Sequence, residues 1–68
     1  MKSEKEITNE ILDEAMTQII SGVPRFTVLC VLLGLYENVS LSKMKSLVNV
    51  ANEDAMNYKN HMENALYE

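Results

Sequence analysis

Hydrophobic side chains recur every three or four residues along most of the chain, which is the spacing of amphipathic α-helices. No segment shows the sustained alternation of apolar and polar residues that marks a β-strand. Turn-forming residues interrupt the helical pattern at three places and divide the chain into four predicted helices. We therefore predict an all-α fold that forms a single domain over residues 1–68.

The first predicted helix has a clear beginning and end. Ser3 and Glu6 have the spacing of a capping box, in which each side chain bonds the other's backbone N–H. Gly22 suits the left-handed residue that ends a helix, and Pro24 cannot continue one. Acidic side chains occupy the outer surface of this helix, at residues 1–22. Its apolar stripe consists of Ile7, Ile11, Leu12, Ala15, Ile19 and Ile20.

The second predicted helix, residues 24–37, is apolar on nearly all sides. Its uncharged run, Phe26–Tyr36, is shorter than the roughly 20 residues that span a bilayer, so it is predicted to be a core helix, with Cys30 buried. A chain of 68 residues has too few other helices to enclose it, and one cysteine allows no internal disulfide. We therefore expect a homodimer joined through the first two helices. Its predicted interface consists of Ile7, Ile11, Leu12, Ala15, Ile19, Leu29 and Leu33.

The last part of the chain, residues 40–67, is predicted to be a helix-turn-helix. Ser40 is the expected N-cap of a third helix, Leu41–Val48. A turn at Asn49–Asn52 follows, in which Val50 is expected to fill the core, and the last Asn is expected to cap a fourth helix. The buried side of the two helices is predicted to consist of Leu41, Met44, Leu47, Val48, Ala55, Tyr58, Met62, Ala65 and Leu66.

From about Leu12 to Tyr67 the sequence resembles the winged helix-turn-helix regulators of the MarR/ArsR-like type. The likeness depends on four features: Pro24–Arg25 opening the apolar helix, Ser40, Leu41 and Ser42 opening the next helix, Val48 and Val50 around the turn, and Met62 with Ala65 closing the recognition helix. The resemblance implies a four-helix, winged-helix-like core. The sequence ends where the β-wing of that family would follow, so it is expected to be either a fragment of a longer protein or a helix-turn-helix without the wing.

The resemblance also implies a function, namely a homodimeric transcriptional regulator that binds double-stranded DNA. The fourth helix would lie in the major groove, where an Asn amide can pair bidentately with adenine. The expected DNA-binding residues are Arg25, Ser42, Lys43, Lys45, Met56, Asn57, Lys59, Asn60 and His61.

Other features favour an alternative function. The formal net charge of −4 argues against strong non-specific binding of nucleic acid. Glu53 and Asp54 stand where the family has small or polar residues, and Leu66 replaces a common Gly. On the alternative reading, the chain is a protein–protein interaction module, or an antagonist of a related regulator, that keeps the fold and does not bind DNA.

Catalytic chemistry is not indicated. Cys30 and His61 have no neighbour that would orient them as a catalytic pair, and no set of residues has metal-ligand spacing. We therefore predict a non-enzyme with no cofactor and no metal. One unpaired cysteine and no signal peptide favour a cytoplasmic protein that does not enter a membrane.

Overall fold

The computed structural model describes the backbone of residues 2–66 and the side chains of residues 2–63. It contains three α-helices: α1 (Glu4–Ile20), α2 (Arg25–Leu35) and α3 (Leu41–Leu66). No strand is present in this part of the chain. The predicted all-α class is therefore confirmed, whereas the predicted number of helices is not.

Two serines are the N-caps that the sequence predicts, although the return bond of the capping box, from the Ser3 N–H to the Glu6 carboxylate, is absent from the described residues. The Ser3 hydroxyl accepts the Glu6 backbone N–H at 3.2 Å and begins α1. The Ser40 hydroxyl accepts the Lys43 backbone N–H, also at 3.2 Å, and begins α3. Each cap satisfies one of the backbone donors that a helix leaves unpaired in its first turn.

The turn between α1 and α2 is fixed by glycine and proline. Gly22 has a φ of 101°, a left-handed conformation that L-residues with side chains rarely adopt. The Val23 N–H donates to the Gln18 carbonyl at 3.0 Å and closes the end of α1. Pro24 is the N-cap of α2 and not, as predicted, its first-turn residue. The helix ends at Leu35, two residues before the predicted end.

The predicted turn at Asn49–Asn52 is wrong, because these four residues lie inside the continuous helix α3. Val48 and Ala51 are both buried, and the buried positions of α3 follow spacings of four, three and four residues without interruption. This spacing is that of a single straight helix. Asn costs a helix interior less than about 1 kcal/mol, so neither Asn breaks it. The predicted helix-turn-helix over residues 40–67 is therefore absent from the described part of the chain.

Several residue roles depend on the predicted turn and are wrong without it. Asn52 is not a helix cap, and Glu53 and Asp54 lie in the middle of α3 rather than in a first turn. Val50, expected in the core, is 46% exposed, and Leu41 is also exposed. Of the predicted buried side, Ala65 and Leu66 lie outside the described side chains.

The core lies where the three helices meet. Three of its members are alanines, which let α1 and α3 approach closely. Ile11, Ala15 and Ile19 belong to this core, so a second chain cannot contact them while the core is intact. The other predicted interface residues, Ile7, Leu12, Leu29 and Leu33, pack against the core and are half-buried. The buried residues are Ile11, Ala15, Ile19, Val28, Leu32, Met44, Val48, Ala51 and Ala55.

The helix α3 is longer than α1 and α2. The start of α1 lies beside the start of α3, where the Lys43 Nζ is 3.0 Å from the Glu4 Oε1. With 26 residues α3 is about 39 Å long, against about 26 Å for the 17 residues of α1. The described side chains from Met56 onward are all exposed. Tyr58 and Met62, predicted to face inward, are among them.

Candidate interaction surfaces

One side of α2 is exposed and uncharged. We call it the α2 outer face. It begins opposite the buried Val28 and Leu32, at Cys30, and extends round the helix to Leu35, which is exposed where α2 ends. Its members recur at spacings of three and four residues, so they form one continuous strip along the helix. The α2 outer face consists of Thr27, Cys30, Val31, Gly34 and Leu35.

The prediction that Cys30 is buried is wrong, because its thiol is exposed. The helix is apolar on nearly all sides, so the sequence shows no preference for one side as the core. α1 and α3 cover the side of Val28 and Leu32, and Cys30 points the other way. In a helix, residues two positions apart point to nearly opposite sides. The residues two positions from Val28 and Leu32 are therefore the ones that should be exposed.

A groove lies between α2 and α3, with a volume of about 360 Å³. About a turn and a half of each helix lines it. Its base is apolar, whereas two cations stand at its sides, and no carboxylate lines it. We call it the α2–α3 groove, and its lining residues are Arg25, Phe26, Leu29, Lys45, Val48 and Asn49.

The cations of the chain differ in their partners. Lys2 is paired with Glu10, and Lys43 is paired with Glu4. The hydrogen bond and the charge of Lys43 hold the pKa of the Glu4 carboxyl below its ordinary value. Among residues 2–63, the other cations form no ion pair. These are Lys5, Arg25, Lys45 and Lys59.

Positive and negative charges are unevenly distributed over the surface of the protein. On α1 the acids Glu6, Glu10, Asp13 and Glu14 lie opposite its buried stripe and so face away from α2 and α3. On α3 Lys45 and Lys59 are fourteen residues apart, which places them along one side of the helix. Arg25 joins them at the start of α2. Glu63 also lies on this side, four residues after Lys59, so the positive charge is concentrated at Arg25 and Lys45, in a protein whose net charge is −4.

The structure brings together only some of the predicted DNA-binding residues. Arg25 and Lys45 share the α2–α3 groove. Lys43 is held by Glu4 on the α1 side of α3. The remaining residues are exposed and spread over roughly 200° of the circumference of α3, with Ser42 about 20 Å along the helix axis from the others, so only those from Met56 to His61 lie close together. These exposed residues are Ser42, Met56, Asn57, Lys59, Asn60 and His61.

Two lining residues of the groove were missed by the sequence analysis. Phe26 is 75% exposed at the mouth of the groove, although an aromatic residue in an apolar helix is expected in the core. Its place two residues before Val28 was the signal that it lies off the buried stripe. Asn49 lines the groove because α3 continues through it, so the predicted turn concealed its position.

The described residues contain no group of three or more side chains that could hold a metal ion. No helix in residues 2–66 combines the length and the hydropathy needed to cross a membrane. Comparison of the chain with protein-family models, with curated proteins and with solved structures gives no match. The function must therefore be argued from the geometry of the two surfaces described above.

Proposed function

We propose that the chain is a protein–protein interaction module that forms a homodimer through the α2 outer face. The observation that carries this proposal is the exposure of an uncharged helix face, on which Val31 is 41% and Leu35 is 63% exposed. Removing such apolar surface from water stabilises an association by about 25 cal/mol per Å². A second α2 is a matching partner, because a two-fold symmetric contact places the same uncharged face on both sides.

Gly34 supports the same proposal. A Cβ built at Gly34 meets no atom within 4 Å, so packing within the chain does not require a glycine here. Glycine in a helix interior costs about 1 kcal/mol relative to alanine. A second backbone that approaches the α2 outer face closely gives this glycine a role.

The size of the face indicates a weak dimer. With 11 residues α2 is about 16 Å long, so its face is smaller than the roughly 800 Å² per partner of a standard interface. Interfaces below that size belong to weak or transient complexes. We expect a dissociation constant in the micromolar range, with both α2–α3 grooves available to other partners.

Val31→Glu is expected to raise the dimer dissociation constant at least 100-fold, because the change places two carboxylates in a dry, symmetric contact. Sedimentation equilibrium over roughly 1–500 µM protein measures the effect. Val50→Glu is the matched control, since Val50 is another exposed helical valine, 46% exposed, and lies on α3.

Both variants should keep the circular dichroism spectrum of the unmodified chain, since neither side chain is buried. Equal dissociation constants for Val31→Glu and Val50→Glu would show that the α2 outer face is not the interface. An unmodified chain that stays monomeric throughout the concentration range would reject the dimer itself.

DNA binding is a second candidate function, and one observation favours it: Arg25, Lys45 and Lys59 form no ion pair within residues 2–63 and lie on one side. Without the turn, a helix-turn-helix cannot present them, so the continuous helix α3 would have to lie along the duplex. Such a contact would be mainly to phosphates, which position a protein without reading sequence.

If DNA binds, Lys45→Glu should weaken binding roughly eightfold at 0.1 M salt and reduce the salt slope by about 0.9, the value for one phosphate contact. Fluorescence anisotropy with a labelled duplex measures both quantities. Lys5→Glu makes the same change in net charge on α1, and it should alter neither. No binding by the unmodified chain at low salt would exclude this candidate.

A further inference from the structure

We infer that the α2–α3 groove binds an amphipathic helix of a partner protein whose apolar side is bordered by carboxylates. The inference rests on the proposed function in one respect only, namely that the chain is an interaction module. It does not require the dimer, because the groove is formed within one chain. None of its lining residues belongs to the α2 outer face.

The shape of the groove suits the insertion of side chains from a helix. Leu29 and Val48 form an apolar base, and Phe26 stands at the mouth with three-quarters of its surface exposed. A volume of about 360 Å³ is too small for a helix but accommodates side chains from successive turns. Helices that bind in grooves place their apolar anchors three, four or seven residues apart, on successive turns. The partner helix would lie across the mouth and make contact with Phe26.

The charges of the groove select the partner. Arg25 and Lys45 stand at its sides, no carboxylate lines it, and neither cation has an ion pair within residues 2–63. Carboxylates beside the anchors of the partner would meet both cations. Exposed ion pairs contribute only about 0.2–1 kcal/mol each, so the apolar anchors supply most of the affinity and the charges supply selectivity.

The apolar base also argues against nucleic acid as the occupant. A phosphate backbone gains nothing from contact with Leu29 and Val48, and only two cations line the groove. The helix α1 of a second copy does not fit either. It is acidic, but its apolar stripe is buried in its own core through Ile11, Ala15 and Ile19. A helix from a different protein therefore fits better than either.

The test uses two synthetic helical peptides of equal length. Both carry two leucines four residues apart in an alanine background. In one peptide glutamates flank the leucines, and in the other lysines do. Titration into the ¹⁵N-labelled chain should move the amide signals of residues 25–29 and 45–49. We expect a dissociation constant below roughly 1 mM for the acidic peptide and binding at least tenfold weaker for the basic one.

Variants locate the site and separate the contribution of its charges from that of its apolar surface. Lys45→Glu should weaken binding of the acidic peptide about tenfold and strengthen binding of the basic peptide. Lys5→Glu should change neither dissociation constant by more than about twofold. Phe26→Ala should weaken both peptides. Its side chain is mostly exposed, so the change should not disturb the fold.

Three results would overturn the inference: no signal movement up to several millimolar acidic peptide, equal binding of the two peptides, or movement confined to residues outside the groove. A DNA duplex that moves the groove signals when the acidic peptide does not would also overturn it, in favour of the DNA candidate. Repeating the titration with the Val31→Glu variant separates the two proposals. Peptide binding should persist there whether or not the unmodified chain dimerises.

Discussion

Val50→Pro is expected to lower the free energy of unfolding by about 3 kcal/mol or more. Val50 lies within the continuous helix α3, and its side chain is largely exposed, so the change acts on the backbone rather than on packing. Proline removes the N–H that bonds the carbonyl four residues earlier, at Ser46, and its ring clashes with that carbonyl. Urea denaturation followed by circular dichroism at 222 nm measures the loss.

Val50→Ala is the matched control, because it removes the same side chain and keeps the N–H. Alanine is the better helix former by a few tenths of a kcal/mol, so the control should be neutral or slightly stabilising. A turn at Asn49–Asn52 would accept proline far more readily than a helix does. A loss below about 1 kcal/mol for Val50→Pro would therefore contradict the continuous helix and restore the helix-turn-helix prediction.

The sequence predicts α1 well because its signals are local. The Ser3 hydroxyl needs only a backbone N–H three residues later, and Gly22 needs only its own freedom to take a positive φ. Neither depends on what another helix does. The same is true of Ser40 at the start of α3, where the predicted cap is also present.

The prediction of a turn at Asn49–Asn52 is wrong because a local preference competes there with a longer pattern. Asparagine favours helix caps and turns, and two of them three residues apart suggested a boundary. The buried positions of α3, from Met44 through Val48 and Ala51 to Ala55, keep the helical period across that boundary. Burial of this stripe against α1 outweighs the small propensity cost of the two asparagines. The continuous spacing was visible in the sequence and should have been weighted more heavily.

The candidate surfaces were less predictable than the fold. A helix that is apolar on nearly all sides gives no sign of which side faces the core, so the exposure of Cys30 and Leu35 depends on where α1 and α3 pack. The groove likewise needs Arg25 and Lys45, twenty residues apart in sequence, to meet across two helices. Such a meeting follows from tertiary packing and from no local pattern.

Leu32→Ala is expected to cost about 2–5 kcal/mol, the range for a fully buried leucine truncated to alanine. Leu32 has no exposed surface and belongs to the core where the three helices meet. A domain of 68 residues has little stability in reserve, so the variant should be largely unfolded at 25 °C or show a sharply lower urea midpoint. Denaturation monitored at 222 nm provides the measurement.

Leu35→Ala is the control that isolates burial, because it makes the same chemical change on the same helix, at a residue that is 63% exposed. Helix propensity changes by a similar small amount in both variants, so the difference between the two losses reports the core. We expect Leu35→Ala to cost less than about 1 kcal/mol when the protein concentration is too low for dimers. Equal losses would mean that the Leu35 side chain is buried rather than exposed, and the α2 outer face would then lose one of the two exposed side chains that carry the dimer proposal.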